Sequence, residues 1–353
     1  MTIKVLIIDD SAVMRGLLTE IIGGAPDLEV VGAAPDPIAA REMVKALNPD
    51  VLTLDIEMPR MNGLEFLDRL MRLRPTPVVM ISSFTTSGSE ATLKALELGA
   101  VDFHAKPQAG NEALLQGYAA DIRDKIRAAS RARLRSTARI AVPSAPTLAR
   151  PTAGFSSRLL SERVIALGAS TGGTEAIREV LAALPEGMPP IVMVQHMPET
   201  FTPSFARRLN TVSRLTVIEA QGGERLKPGM AYLAPGHAHM RVNKHAGGLV
   251  LELSREDAVN RHRPSVDVLF RSVAEQVGKN ALGVILTGMG RDGAQGLLAM
   301  RRAGAWNIGQ DQASCVVYGM PHAAADAGAL DDVASLAEIP GRLVARLHAL
   351  DKR

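Results

Sequence analysis

The sequence predicts an α/β protein made of two doubly wound parallel-sheet domains. Three observations support this. Residues 1–125 alternate short apolar runs with amphipathic stretches of helical period. The same alternation resumes at about residue 158 and runs to residue 353. Between them, residues 126–157 are basic and rich in Pro, Ser and Ala, which is linker composition.

In the first domain, residues 4–8, 29–33, 51–54, 78–81 and 101–103 read as strands. They are apolar nearly throughout, as strands covered on both faces must be. Residues 12–22, 37–47, 64–73 and 90–98 read as helices, with Ser11 placed to cap the first. A last helix is expected to run to about Arg135. Right-handed crossovers follow, with ligand chemistry at the C-terminal strand ends. In the second domain, residues 163–167, 191–195, 282–286 and 305–309 read as strands, and 174–184, 266–277 and 294–303 as helices. Between Thr216 and Leu253 short strands meet Gly-rich turns such as Lys244-His245-Ala246-Gly247-Gly248. That pattern predicts an inserted β-hairpin region.

A net charge of +3, with 46% hydrophobic and 22% charged residues, suits a soluble globular protein. Cys315 is the single cysteine, which excludes an intrachain disulfide and a thiolate metal cluster. No signal segment opens the chain and no run of about 18 apolar residues occurs, so we expect a cytoplasmic protein without membrane insertion. Lys125, Arg127, Arg131, Arg133, Arg135, Arg139 and Arg150 have little aromatic interleaving. They read as a solvated linker, not a nucleic-acid arm.

Chemistry-bearing residues follow the strands of the first domain in order. Asp9 and Asp10 follow the first strand, Asp55 the third, Ser83 the fourth and Lys106-Pro107 the fifth. Converging carboxylates repel one another and invite a hard cation, Mg²⁺ above all. With that charge neutralised, one carboxylate can attack a phosphoryl group, whose oxygens Lys106 and Ser83 would bind. This order resembles the receiver domain of response regulators. The resemblance implies a flavodoxin-like fold with Asp55 as phosphoacceptor. It implies Mg²⁺ held by Asp9, Asp10 and Asp55 with the Glu57 carbonyl, phosphoryl sensing by Ser83 and Lys106, and Phe103 as an aromatic switch.

Residues 168–172 read Gly-Ala-Ser-Thr-Gly, a G-x-S-x-G turn between a strand and a helix. A Gly-rich phosphate loop at a helix N-terminus fits the same residues. As a nucleophile, the Ser170 hydroxyl needs a base, and His196 at the end of the neighbouring strand is best placed. Asp292, in Thr287-Gly288-Met289-Gly290-Arg291-Asp292-Gly293, can orient that base or cap the helix starting near Ala294. The order Ser170, His196, Asp292 departs from the Ser, Asp, His order of ordinary α/β hydrolases. His237 and His239 lack a third metal ligand. His262, between Arg261 and Arg263, reads as a surface or substrate contact. His104, His245, His322 and His348 read as structural or solvated.

The stretches Gly168-Ala169-Ser170-Thr171-Gly172-Gly173-Thr174, Gln195-His196-Met197-Pro198, Asn260-Arg261-His262-Arg263-Pro264-Ser265-Val266-Asp267 and the Asp292 loop resemble chemotaxis protein-glutamate methylesterases. The resemblance implies a Rossmann-like α/β hydrolase domain behind a receiver. It implies phosphorylation-regulated demethylation of glutamyl methyl esters on methyl-accepting chemotaxis receptors, with release of methanol, in the service of adaptation. Deamidation of receptor glutamines is implied too, with a chemotaxis histidine kinase as phosphodonor. The esterase chemistry would need no cofactor, and the Thr171 and Met289 N–H groups are oxyanion candidates. Asn62 stands where an Asp is common, and His104 precedes Ala105-Lys106. A receiver with a nucleic-acid- or protein-binding output, and a nucleotide-binding regulator, are alternatives that the sequence leaves open.

Overall fold

The computed structural model describes residues 2–58, 61–82, 86–107, 112–134 and 154–352. The chain divides into two compact units, residues 1–143 and 144–353. Each carries its own parallel sheet.

The first unit contains β1 (Ile3–Ile8), α1 (Ala12–Gly23), β2 (Leu28–Ala34), α2 (Pro37–Leu47), β3 (Val51–Asp55), α3 (Gly63–Leu73), β4 (Val78–Ser82), α4 (Thr86–Glu97), β5 (Asp102–Ala105) and α5 (Glu112–Ser130). Its five strands are ordered β2-β1-β3-β4-β5, the flavodoxin-like arrangement. β3 is buried along its whole length, which explains its unbroken apolar run. β2 is an edge strand and is only half-buried, so uniform burial of the strands does not hold there. Helix starts follow capping chemistry. The Ser11 hydroxyl accepts from Met14 N at 3.3 Å, Asp36 accepts from the Ile38 and Ala39 amides just after Pro37, and Asn62 accepts from Leu64 N at 2.9 Å. The last helix stops at Ser130, short of the expected Arg135. Ser83 lies outside the described residues, as does most of the basic linker.

The second unit contains α6 (Ser157–Glu162), β6 (Val164–Ala169), α7 (Gly173–Ala183), β7 (Ile191–Gln195), α8 (Thr202–Val212), β8 (Thr216–Glu219), β9 (Met230–Leu233), β10 (His239–His245), β11 (Gly248–Ser254), α9 (Val266–Gln276), β12 (Ala281–Ile285), α10 (Ala294–Arg302), β13 (Trp306–Gln310), α11 (Met320–Asp326), β14 (Asp332–Ala334) and α12 (Ile339–Asp351). Seven parallel strands are ordered β14-β13-β12-β6-β7-β9-β8. The expected hairpin is β10 with β11. β8 and β9 are not part of it. They join the main sheet because the apolar β9 needs burial on both faces, between β7 and β8. From β6 the chain crosses to β7 on one side, and β12 later pairs on the other. The end of β6 is therefore the switch point where a doubly wound sheet opens a crevice.

Candidate active site and switch site

Register places the serine beside the histidine. Ala169 and Gln195 are paired on adjacent parallel strands, so Ser170 and His196 are the next residues on each. His196 N donates to Ala169 O at 3.2 Å and holds the two strand ends together. The turn after β6 is tight. Gly173 N donates to Ser170 O at 2.6 Å, and Gln195 Nε2 donates to the same oxygen at 2.9 Å. Gly172 has φ +75° and abuts Val316, so a side chain there would meet both strain and a clash. The Asp292 loop packs directly on the serine. Ser170 N donates to Thr287 O at 3.1 Å, and a Cβ on Gly288 would sit 2.8 Å from the Ser170 Cβ.

His196 Nε2 lies 2.9 Å from Asp292 Oδ2, and its buried Nδ1 has no hydrogen-bond partner among the described residues. Asp292 is 1% exposed and densely bonded. Oδ1 accepts from Asn260 Nδ2 at 2.7 Å and Ser265 Oγ at 2.8 Å, and Oδ2 accepts from Val266 N at 2.7 Å. Burial acts to raise its pKa, but the hydrogen bonds and charge of His196, with Asn260 and Ser265, outweigh it and hold the carboxyl well below the usual range. The bond from Val266 N places the carboxylate at the N-terminus of α9, where the helix dipole favours an anion. Its capping contact is thus with α9, not with α10, whose N-cap is Gly293 without a side-chain bond. One buried carboxylate serves the helix end and the imidazole together.

Three supports escaped sequence reasoning. Asn260 ties Asp292 to the buried Asp267, whose Oδ2 accepts from it at 2.9 Å. Ser265 is held in turn by His239, which is fully buried; its Nδ1 accepts from Ser265 N at 3.1 Å and its Nε2 lies 3.0 Å from Asp257 O. His262 is half-buried and stacks on His196, with centroids 3.7 Å apart and planes 14° apart. Their one available signal was the polar run from Asn260 to Asp267 ahead of an apolar helix. His237 stands apart, 3.8 Å from Glu199. His104 packs edge-on against Tyr118 with centroids 4.7 Å apart, and His322 pairs with Asp326 at 3.3 Å.

In the first unit the strand ends bring Asp9, Asp10 and Asp55 together, with ligand oxygens all within 4.8 Å of one another. Lys106 Nζ lies 2.7 Å from Asp55 Oδ2 and 3.2 Å from Asp9 Oδ2. Arg15 Nη1 fixes the loop by donating to the Asp9 and Asp10 carbonyls, each at 2.9 Å. Burial pushes the Asp55 carboxyl above the ordinary range; Lys106 opposes this without cancelling it, and Asp9 adds to it. Burial acts to lower Lys106, but the Asp55 carboxylate prevails and raises it. Oxygen-only donors with a surplus of negative charge fit a hard cation such as Mg²⁺. Phe103 is buried in β5, with Lys125 Nζ 5.8 Å from its ring centre.

Fold and sites together define a class: a response-regulator receiver followed by an α/β hydrolase domain. Residues 5–117 match the response regulator receiver domain, and residues 165–343 match the CheB methylesterase family. A protein-glutamate methylesterase/protein-glutamine glutaminase of Paraburkholderia xenovorans is 57% identical over 355 residues, covering 99% of this chain and 98% of that protein. One from Methylobacillus flagellatus is 58% identical over 349 residues, with 99% and 98% covered. The crystal structure of the Thermotoga maritima CheB methylesterase catalytic domain superimposes with a TM-score of 0.50 at 37% identity, covering 55% of this chain and 99% of that one. The chain belongs to the CheB methylesterase family and carries its N-terminal receiver domain.

Proposed function

We propose that this chain removes methyl groups from glutamyl esters on chemotaxis receptors and deamidates receptor glutamines, under control of receiver phosphorylation. The receiver spans residues 1–125, the linker 126–157 and the catalytic domain 158–353. The observation that carries the reading is the buried His196–Asp292 pair, one residue past strands that set Ser170 beside it.

Ser170 Oγ attacks the γ-carbonyl while His196 Nδ1 takes its proton. The C–O bond then breaks and His196 protonates the departing methanol; for an amide, ammonia leaves. Water, activated by the same nitrogen, hydrolyses the acyl-enzyme to free glutamate. Asp292 stabilises the imidazolium and fixes its tautomer. The Thr171 and Met289 N–H groups stabilise the oxyanion, each by about 3 kcal/mol of barrier.

In the receiver, Asp55 accepts the phosphoryl group from a histidine kinase. Asp9, Asp10 and Asp55 would hold Mg²⁺, which neutralises charge during transfer. Lys106 is within reach of the incoming oxygens, and Ser83 is assigned the same task by resemblance. A protein charged by such a kinase and acting on receptor glutamates works in the cytoplasm. The test is methanol release from methylated receptor, with and without a small phosphodonor. Wild type should respond to the phosphodonor, Asp55→Ala should not, and Ser170→Ala should be inactive. Full activity of Ser170→Ala would overturn the reading.

A further inference from the structure

We propose that His262 is a positioning residue for the hydrolysis: its imidazole, stacked on His196, holds that ring in the plane that aims Nδ1 at the serine. The inference rests on the roles given above to Ser170, His196 and Asp292, and adds a residue outside that trio.

The bond from Nε2 to Asp292 at 2.9 Å pins one atom of the His196 ring. A ring held at one atom still swings about that contact, because the terminal torsion of histidine is broad. A general base works only while its nitrogen stays within hydrogen-bond reach of the proton. The missing restraint is a face contact, and His262 supplies it with planes 14° apart at 3.7 Å. His262 takes no covalent part in the reaction.

The placement of His262 is itself built. Val259 and His262 exchange backbone hydrogen bonds of 3.1 and 2.9 Å across Asn260 (φ +53°) and Arg261 (φ +67°). This is the two-residue turn with both central residues left-handed, which glycine and asparagine favour. Arg261 is neither, and such conformations persist where their surroundings over-determine them. Asn260 is the anchor, with Nδ2 donating to Asp292 at 2.7 Å and to Asp267 at 2.9 Å. The same turn therefore grips the carboxylate and covers the imidazole, so the two partners of the relay are set by one loop.

The test uses the full chain and compares methanol release by wild type, His262→Ala, His262→Phe and His262→Gln, with Ser170→Ala as control. His262→Ala should lower kcat about tenfold to a hundredfold, the effect of a small misalignment. KM should stay within about twofold, as expected for an interaction made in the transition state. His262→Phe keeps the flat face without ring nitrogens and should recover most of kcat; His262→Gln, polar but without a face, should not. Wild-type kcat in His262→Ala, or recovery by Gln and not by Phe, would overturn the proposal. Activity in Ser170→Ala would instead remove the underlying reading, whatever the His262 variants do.

Discussion

His196 meets Asp292 through Nε2, at 2.9 Å, and keeps Nδ1 buried and unpartnered among the described residues. The serine proteases described by the usual triad use the opposite nitrogens. The difference follows from topology. Here the histidine ends a strand next to the serine strand, while the carboxylate stands at the N-terminus of α9. The ring thus presents Nε2 to the carboxylate and leaves Nδ1 on its other side.

Asp292→Asn should keep the loop folded but lose the anion and the tautomer control. We expect kcat to fall about ten-thousandfold with little change in KM. A loss below tenfold in methanol release would show that the carboxylate is not part of the relay.

Asp292 also ties stability to pH. Its native pKa is depressed, so its contribution is present above the unfolded value, about 3.9, and is lost as pH falls towards the native value. Denaturant unfolding of wild type should weaken below about pH 4. The gap between wild type and Asp292→Asn should narrow over the same range; a gap independent of pH contradicts this.

Asp55 has the opposite sign. Its native pKa is raised, so the stability linked to it is complete below the unfolded value and is lost as pH rises through the native one. At neutral pH, Asp55→Asn should raise the receiver melting temperature while abolishing phosphorylation. Mg²⁺ should stabilise wild type by about 2.7 kcal/mol at a hundredfold excess over Kd. The variant should gain less. A lower melting temperature for Asp55→Asn without Mg²⁺ would show that its ion pair with Lys106 outweighs its burial.

Gly172→Ala places a Cβ at φ +75° and 2.6 Å from the Val316 Cβ. We expect a loss of about 1–3 kcal/mol in the catalytic domain, with reduced kcat because Ser170 shares the turn. Wild-type unfolding curves would refute the strain argument.

The strands that flank both sites were legible because burial on two faces leaves an unbroken apolar run, as in β3 and β7. The positions of Asp9, Asp55, Ser170, His196 and Asp292 were legible because each stands in a strand-end loop or at a strand's last residue. What was not legible depends on contacts distant in sequence. Nothing near β8 or β9 announces a parallel partner; four-residue strands flanked by glycines read equally well as a hairpin. The capping of α9 by Asp292 joins residues 26 apart. Asn260 and Ser265 act through that same carboxylate, and the stack on His262 depends on a turn with Arg261 in a conformation its residue type disfavours.

The most direct test is to expose the full chain to a fluorophosphonate and locate the adduct by peptide mass spectrometry. One serine adduct should form, at Ser170, absent in Ser170→Ala and formed far more slowly in His196→Gln. An adduct formed at the wild-type rate in either variant would show that Ser170 is not a nucleophile activated by His196.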